Sequence, residues 1–257
     1  MPIVRPVILC VVLPAAVALI VLLATQRGDE RAHRGRRTVG VVLAIPLGFV
    51  AGYFGVVPVW PSFPPAERWQ WMLYLTIAAT MAALIQGLLT VRWLQRMLVV
   101  VLIAATSGWL LARTASETPW AWIGAVTVSV LAVWLALDFM ACRASPLAVS
   151  LALWVSATGA AVILVLAGNA RLAQLAGALA AVAGALAVVA WFRPGLPFSS
   201  GGLVVAAMLI ASLMYLGYYY NYSEVPSACF AAPVAVAPAA ALFQSAVTRA
   251  ARRFSPD

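Results

Sequence analysis

Long apolar runs follow one another along the chain, separated by short polar or proline-containing segments. A hydrocarbon core of about 30 Å requires about 20 helical residues at a rise of about 1.5 Å each. The runs lack the alternation typical of barrel strands, and backbone polar groups must be paired within lipid, so each run is predicted to be a transmembrane α-helix. About nine spans are predicted, at approximately residues 6–24, 39–57, 70–90, 94–112, 119–138, 146–167, 172–191, 202–220 and 229–247.

Prolines mark several boundaries between the runs. Pro119 and Pro146 open two of the spans, where a missing N–H is harmless. The third and fourth spans are joined only by residues 91–93, without Gly or Pro. A single helix over both would be about twice too long, so a tight hairpin is inferred there. Pro233 and Pro238 fall within the last span, which either crosses with a kink or is re-entrant, and a total of eight spans remains an alternative.

Composition supports the same fold class. Hydrophobic residues make up 65% of the chain and charged residues 9%, whereas soluble domains have roughly 45–50% and roughly 25%. A soluble fold needs a polar exterior that this chain does not supply. We therefore predict one all-α transmembrane domain over residues 1–257, a polytopic helix bundle with no soluble domain.

The formal net charge is +9, and every basic side chain is an arginine. With the N-terminus outside, twelve arginines fall on the inner side and four on the outer side, which satisfies the positive-inside rule. We therefore expect a cell-membrane protein of the bacterial inner-membrane type with a cytoplasmic C-terminus. The loop from Arg27 to Arg37 is expected to contact anionic lipid headgroups, and no nucleic-acid partner is expected. The inner arginines are Arg27, Arg31, Arg34, Arg36, Arg37, Arg92, Arg96, Arg143, Arg193, Arg249, Arg252 and Arg253; the outer ones are Arg5, Arg68, Arg113 and Arg171.

Catalytic motifs are missing from the sequence. His33 is the only histidine, which excludes bis-histidine haem ligation and the HExxH zinc motif. There is no P-loop and no GxSxG elbow. The three cysteines, Cys10, Cys142 and Cys229, are far apart and form no CxxC pair. The sequence thus leans against an enzyme, and no cofactor or metal is expected.

Asp138 is the acidic residue within or touching a span, in the last turn of the fifth. By helical spacing it shares a face with Thr127 and Trp134. Together with Gln86 of the third span, Asp138 and Thr127 form a candidate functional polar face. The alternative is a solvated helix end that pairs with Arg143.

Small residues form stripes on three spans. Gln86 lies beside one of them, and the four-residue spacing lets helix backbones approach closely, although a substrate path is an alternative use of the same gaps. The stripes are Thr76, Thr80, Ala83 and Gly87 on the third span, Gly48 and Gly52 on the second, and Gly177, Ala181 and Gly184 on the seventh.

Aromatic residues are concentrated in two outer loops, the segments 59–71 and 215–227. An interfacial belt, with rings at headgroup level, explains the tryptophans of the first. The tyrosines of the second are denser than a belt requires, and they either line an outer mouth or contact a protein. The candidate outer-mouth residues are Tyr218, Tyr219, Tyr220, Tyr222 and Glu224.

Two hypotheses of function follow from these observations. The first is a non-enzymatic scaffold or accessory subunit of a membrane complex, with protein partners in the membrane; it rests on the missing catalytic groups, the packing stripes and the short loops. The second is a permease-like or lipid-handling protein with an uncharged path between helices. No motif specifies a substrate or a partner.

Overall fold

A computed structural model describes residues 8–26, 34–89, 93–95, 97, 99–101, 105, 120–193, 195–196, 198, 200–221 and 223–254. Helices make up most of this part of the chain and no strand occurs in it, which confirms the predicted all-α class. A π-helical segment, Ile8–Val12, leads into the first of eight α-helices whose bounds fall within the described ranges. They are α1 (Leu13–Gln26), α2 (Arg34–Val56), α3 (Trp71–Leu88), α4 (Trp120–Arg143), α5 (Pro146–Leu166), α6 (Ala170–Phe192), α7 (Ser200–Tyr219) and α8 (Ser227–Phe254).

Six helical segments in the described part are long and apolar enough to cross a bilayer. They indicate a membrane location and are consistent with an integral membrane protein. The predicted count of about nine is not confirmed, and most of the predicted span 94–112 lies outside the described residues. The six segments are Ile8–Thr25, Val39–Val56, Pro146–Leu166, Ala170–Phe192, Gly201–Tyr219 and Ser227–Ala246.

Helix α7 forms the axis of the bundle. Every residue from position 201 to position 217 is buried, and the helix packs against α2, α3, α4, α5, α6 and α8. Its own sequence helps, because glycine stands at two positions where a neighbouring helix comes close. A Cβ on Gly217 would lie 2.2 Å from Leu164 Cδ2 of α5, and one on Gly201 would lie 3.0 Å from Ala83 Cβ of α3.

The glycine stripes differ in how closely they pack. A Cβ on Gly52 would lie 2.4 Å from Ala178 Cβ, and one on Gly48 would lie 2.4 Å from Val182 Cγ2, so α2 and α6 meet at these positions. At Gly184 the nearest atom would be Trp154 Cδ1 at 3.4 Å, and at Gly177 nothing lies within 4 Å. Close packing therefore holds for the stripe of α2 but not for Gly177.

The chain leaves the helical conformation at Leu89, next to the tight hairpin predicted at residues 91–93. Leu89 is extended, with φ −76° and ψ 129°, and residues 93–95 are helical again. The Gln95 side chain donates hydrogen bonds to the backbone oxygens of Gln86 (3.2 Å) and Leu89 (2.6 Å). The glutamine side chain thus adds a donor to two carbonyls at the end of α3; that of Gln86 also accepts from the Leu89 N–H at 3.2 Å.

Helix α8 continues through Pro233 and Pro238 without a break over its 28 residues. At about 1.5 Å per residue this is about 42 Å. The helix is therefore long enough to cross a bilayer.

Candidate functional site

Asp138 is half-buried near the C-terminal end of α4. The expected pairing with Arg143 is not found: no ion pair joins these two described residues, and the Arg143 guanidinium lies 4.1 Å from the centre of the Phe139 ring. Residues five apart point to different sides of a helix, whereas residues four apart share a side. The sequence therefore favours a cation–π contact with Phe139 over the ion pair.

Thr127 is also half-buried on α4. The helix packs against α7 and α8 and buries Val130, Val133, Trp134 and Leu137. Asp138 thus adjoins the buried face of α4 without lying fully within it.

Gln86 is 5% exposed on α3, and its side-chain oxygen is buried without a hydrogen-bond partner in the described part of the chain. The hydroxyls of Thr76 and Thr80 bond to carbonyls of their own helix, at 2.6 Å each. Ala83 faces Gly201 of α7. The polar stripe of α3 is therefore a helix-packing surface.

The three residues of the predicted polar face are divided between two helices. Gln86 belongs to α3, whereas Thr127 and Asp138 belong to α4, and the two helices pack on α7. No hydrogen bond or ion pair among the described residues links any two of the three. Their joint role stays a prediction.

The tyrosine-rich segment packs onto neighbouring elements. The Tyr218 ring lies 5.8 Å from that of Phe230 on α8, and the Tyr219 and Tyr220 rings meet edge to face at 5.3 Å. Glu224 is exposed and has a positive φ of 53°. Tyr222 lies outside the described residues. The role of this segment as an outer mouth stays a prediction.

Asn221 closes the loop between α7 and α8. Its side-chain amide donates to the Val225 carbonyl oxygen at 2.7 Å, and its side-chain oxygen accepts from the Val225 N–H at 3.1 Å. This side chain fixes the turn between α7 and α8.

A second group of residues meets at the same end of the bundle, which we call the aromatic end. It is formed by the C-terminal ends of α2 and α7 and the N-terminal ends of α3 and α6. Six side chains, the Trp69 cluster, come together there from four segments of the chain: Tyr53, Glu67, Arg68, Trp69, Arg171 and Tyr219.

The local sequence places Trp69 at the centre of this cluster. After α2, a proline-containing loop leads to a 3-10 turn, Arg68–Gln70. The Glu67 N–H donates to the Gln70 side-chain oxygen at 3.3 Å, and the Gln70 N–H donates to the Glu67 carbonyl at 3.1 Å. This turn directs Trp69 inward, where it is 6% exposed and lies 5.7 Å from the Tyr53 ring.

Glu67 is the acidic partner within the Trp69 cluster. Its Oε2 accepts hydrogen bonds from the Trp69 indole N–H and from Arg171 Nη1, the latter at 3.2 Å. Arg171 also lies 5.6 Å from the centre of the Trp69 ring. The side chains of the ion pair are 60% and 52% exposed, so the pair contributes at most about 1 kcal/mol.

Arg68 is arranged differently from Arg171. Its guanidinium lies 4.2 Å from the centre of the Tyr219 ring. Its Nη1 is buried and has no hydrogen-bond partner among the described residues. The fully buried Tyr53 hydroxyl also has none. Two arginines and one glutamate leave the Trp69 cluster with an excess positive charge.

The sequence places Arg68 among the outer arginines but does not predict this cluster. The ion pair between Glu67 and Arg171 joins residues 104 positions apart, and sequence periodicity does not predict such a contact. The local signal was the acid, arginine and tryptophan in succession at residues 67–69, in a loop attributed to an interfacial belt.

Comparison with protein-family models, curated proteins and solved structures gives no match. Function has to be inferred from the geometry of the chain itself. Within the described residues, no group of three or more His, Cys, Asp and Glu side chains is arranged to hold a metal ion. What the Trp69 cluster offers chemically is cation–π contact and hydrogen-bond donors.

Proposed function

We propose that this chain is a non-enzymatic integral membrane protein, a single bundle of about nine spans that acts as a scaffold or accessory subunit of a membrane complex. It would lie in a bacterial inner membrane with its N-terminus outside and its C-terminus in the cytoplasm. The observation that carries the proposal is an alanine stripe on the outward face of α8.

The alanine stripe runs along one side of α8 and consists of Ala228, Ala231, Ala232, Ala235 and Ala239. All five residues are exposed, and the four-residue spacings 228–232, 231–235 and 235–239 place them on one face. In a membrane, such spacing of small residues favours the close approach of another helix. The stripe therefore supports docking of a partner helix from outside the bundle.

The alternative, a permease-like or lipid-handling protein, requires an uncharged path between helices. Helix α7 fills the axis of the bundle, and its residues from 201 to 217 are all buried. A cavity of about 10 Å³ between α2, α5, α6 and α7 has apolar side chains as its lining, among them Ile45, Leu179 and Ile210. That volume corresponds to about one water probe, too small for a substrate. Within the described residues, the filled axis favours the scaffold over the carrier.

Photo-crosslinking tests the proposed docking. A photoreactive amino acid would replace Leu242, which continues the exposed face of α8 and is 69% exposed. The matched control replaces Ile20 of α1, which is 65% exposed on another helix. We expect a discrete protein adduct from position 242 and only lipid adducts from position 20.

A second variant ties the adduct to the alanine stripe. Ala235→Trp would place a large side chain in the middle of the alanine stripe. It should abolish the adduct from position 242, because the backbone of a partner helix could no longer approach that of α8. If position 242 gives only lipid adducts, as position 20 does, the scaffold proposal is rejected. Gentle purification followed by mass spectrometry addresses the alternative, since a carrier would retain a small molecule rather than a stoichiometric protein partner.

A further inference from the structure

We infer that Arg68 and Tyr219, at the aromatic end of the bundle, form a binding site for a phosphate-bearing anion. No predicted site includes Arg68, and the inference is independent of the proposed scaffold role. It rests on the hydrogen-bonding state, the charge and the depth of the Trp69 cluster.

The first observation is the state of Arg68. Its Nη1 is buried without a hydrogen-bond partner among the described residues, although it belongs to a cation. A buried donor that lacks a partner loses its hydration without compensation, and the penalty is larger for charged groups. Native structures rarely retain such a group unless a water molecule or an ion completes it.

The second observation is that the only carboxylate of the Trp69 cluster is already engaged. Glu67 accepts from Arg171 and from the Trp69 indole, while Arg68 is held over the Tyr219 ring at 4.2 Å. The aromatic ring attracts the cation but supplies no oxygen or nitrogen acceptor for its N–H groups. The planar guanidinium of arginine, with its five N–H donors, suits the bidentate geometry of phosphate.

The third observation is a second orphaned polar atom in the same cluster. The hydroxyl of Tyr53 has no hydrogen-bond partner and its side chain is fully buried. The Tyr53 ring packs on Trp69, next in the chain to Arg68. Two unsatisfied polar groups in one cluster point to an occupant more strongly than either one alone.

The position of the Trp69 cluster at the helix ends indicates where a phosphate-bearing anion would come from. Arg68 follows the end of α2 and precedes the start of α3, two helices of the bundle, and Trp60 nearby is 57% exposed. Exposed tryptophans at helix ends are typical of the headgroup level of a bilayer. Phosphate is available there from two sources, an anionic phospholipid headgroup and free phosphate.

The test measures binding to the full-length protein purified in detergent. The probes are phosphatidylglycerol, phosphatidylcholine and inorganic phosphate, each followed by native mass spectrometry and by the shift in the thermal unfolding midpoint. The variants are Arg68→Gln, Arg68→Lys and the control Arg143→Gln, which removes an exposed arginine at the opposite end of the bundle. We expect phosphatidylglycerol to bind the wild type and Arg143→Gln equally, and Arg68→Gln to bind it about tenfold more weakly.

The outcomes separate the two sources of phosphate. Stabilisation by phosphatidylglycerol alone assigns the site to a lipid headgroup, and stabilisation by inorganic phosphate as well assigns it to phosphate in general. Equal effects of phosphatidylcholine and phosphatidylglycerol, or equal binding by the wild type and Arg68→Gln, would overturn the inference. If Arg68→Gln does not fold, Arg68→Lys decides, because it keeps the charge and should lose only the planar, bidentate contact; unchanged binding by this variant would also overturn the inference.

Discussion

Single polar side chains of this bundle differ in whether their hydrogen bonds are satisfied locally. Thr76, Thr80 and Ser150 each donate to a backbone carbonyl four residues earlier in the same helix. These hydroxyls need no outside partner in lipid. Gln86 and Tyr53 instead keep a buried polar atom without a partner within the described chain. In an apolar environment such atoms are the better candidates for function.

The charge of Asp138 is predicted to be dispensable for folding. Asp138→Asn keeps the shape of the side chain and removes a negative charge near the C-terminal end of α4, where the helix dipole disfavours that charge. Because Asp138 forms no ion pair with Arg143, we expect the free energy of unfolding to change by less than about 1 kcal/mol. Denaturation in detergent and the cellular abundance of the variant measure this effect.

The same variant separates the two proposed functions. A scaffold should keep full activity in a deletion-strain complementation assay, since Asp138 would only face the membrane surface. A carrier that uses Asp138 at the end of a polar path should lose activity at normal abundance. Loss of both folding and activity would indicate a buried charge with a partner and would contradict the prediction of unchanged stability.

At the scale of helices, apolar character predicts that a segment crosses the membrane but not where it lies in the bundle. Ile8–Thr25 has the highest mean hydropathy, 2.9, yet 22% of its residues are buried. Gly201–Tyr219 has a mean hydropathy of 1.8, and 89% of its residues are buried. Lipid is as apolar as a protein interior, so hydrophobicity does not sort the helices. The all-α class followed from the sequence, whereas the central place of α7 depends on contacts across the bundle.

Alanine substitutions at Gly52 and Gly177 are predicted to change the free energy of unfolding in opposite directions. Gly52→Ala would place a methyl group 2.4 Å from Ala178 Cβ and 3.0 Å from Pro14 Cγ, so α1, α2 and α6 must move apart. We expect a loss of about 1–3 kcal/mol in the free energy of unfolding. Gly177→Ala meets nothing within 4 Å and should stabilise α6 by up to about 1 kcal/mol through helix propensity.

Unfolding of both variants in mixed micelles provides the measurement. Equal stability of the Gly52→Ala and wild-type proteins would show that α2 does not contact α6 at this position. The sequence alone grouped these glycines as equivalent packing positions, because spacing does not report which face meets a neighbour.

The end of α3 is predicted to depend on the Gln95 side chain. Gln95→Leu removes the hydrogen bonds to the carbonyls of Gln86 and Leu89, each worth about 0.5–1.5 kcal/mol. We expect a fall of about 1–3 kcal/mol in the free energy of unfolding, measured by unfolding in mixed micelles. The control is Gln174→Leu, since Gln174 on α6 has no side-chain hydrogen bond within the part of the chain that the structure describes. A similar change in both variants would show that the loss of a polar side chain, rather than of the cap, causes the effect.

At the scale of the whole molecule, the arginines from α4 onward are concentrated at the end of the bundle opposite the aromatic end. From α4 onward, Arg143, Arg193, Arg249, Arg252 and Arg253 follow or end helices that run away from the aromatic end, and only Arg171 lies at that end. The sequence predicted this asymmetry, because loop charges need no tertiary contact to be counted. It did not predict which aromatic residues meet an arginine, because that requires the relative positions of α3, α6 and α7.

Two positions test the orientation without requiring a count of all the spans. Cys142 is exposed near the end of α4, and Ser227 is exposed at the start of α8. Between them lie α5, α6 and α7, all long and apolar enough to cross a membrane, so an odd number of crossings places the two positions on opposite sides. With the arginine-rich side in the cytoplasm, Cys142 faces inward and Ser227 outward.

Labelling with a membrane-impermeant maleimide measures the prediction in right-side-out vesicles. One variant keeps Cys142 alone, through Cys10→Ala and Cys229→Ala, and the other adds Ser227→Cys to a chain in which all three native cysteines are replaced. We expect Ser227→Cys to be labelled in sealed vesicles and Cys142 only after permeabilisation. The reverse pattern would invert the orientation of the whole bundle. Labelling of both positions in sealed vesicles would mean that an even number of crossings separates them, so at least one of α5, α6 and α7 would not cross the membrane.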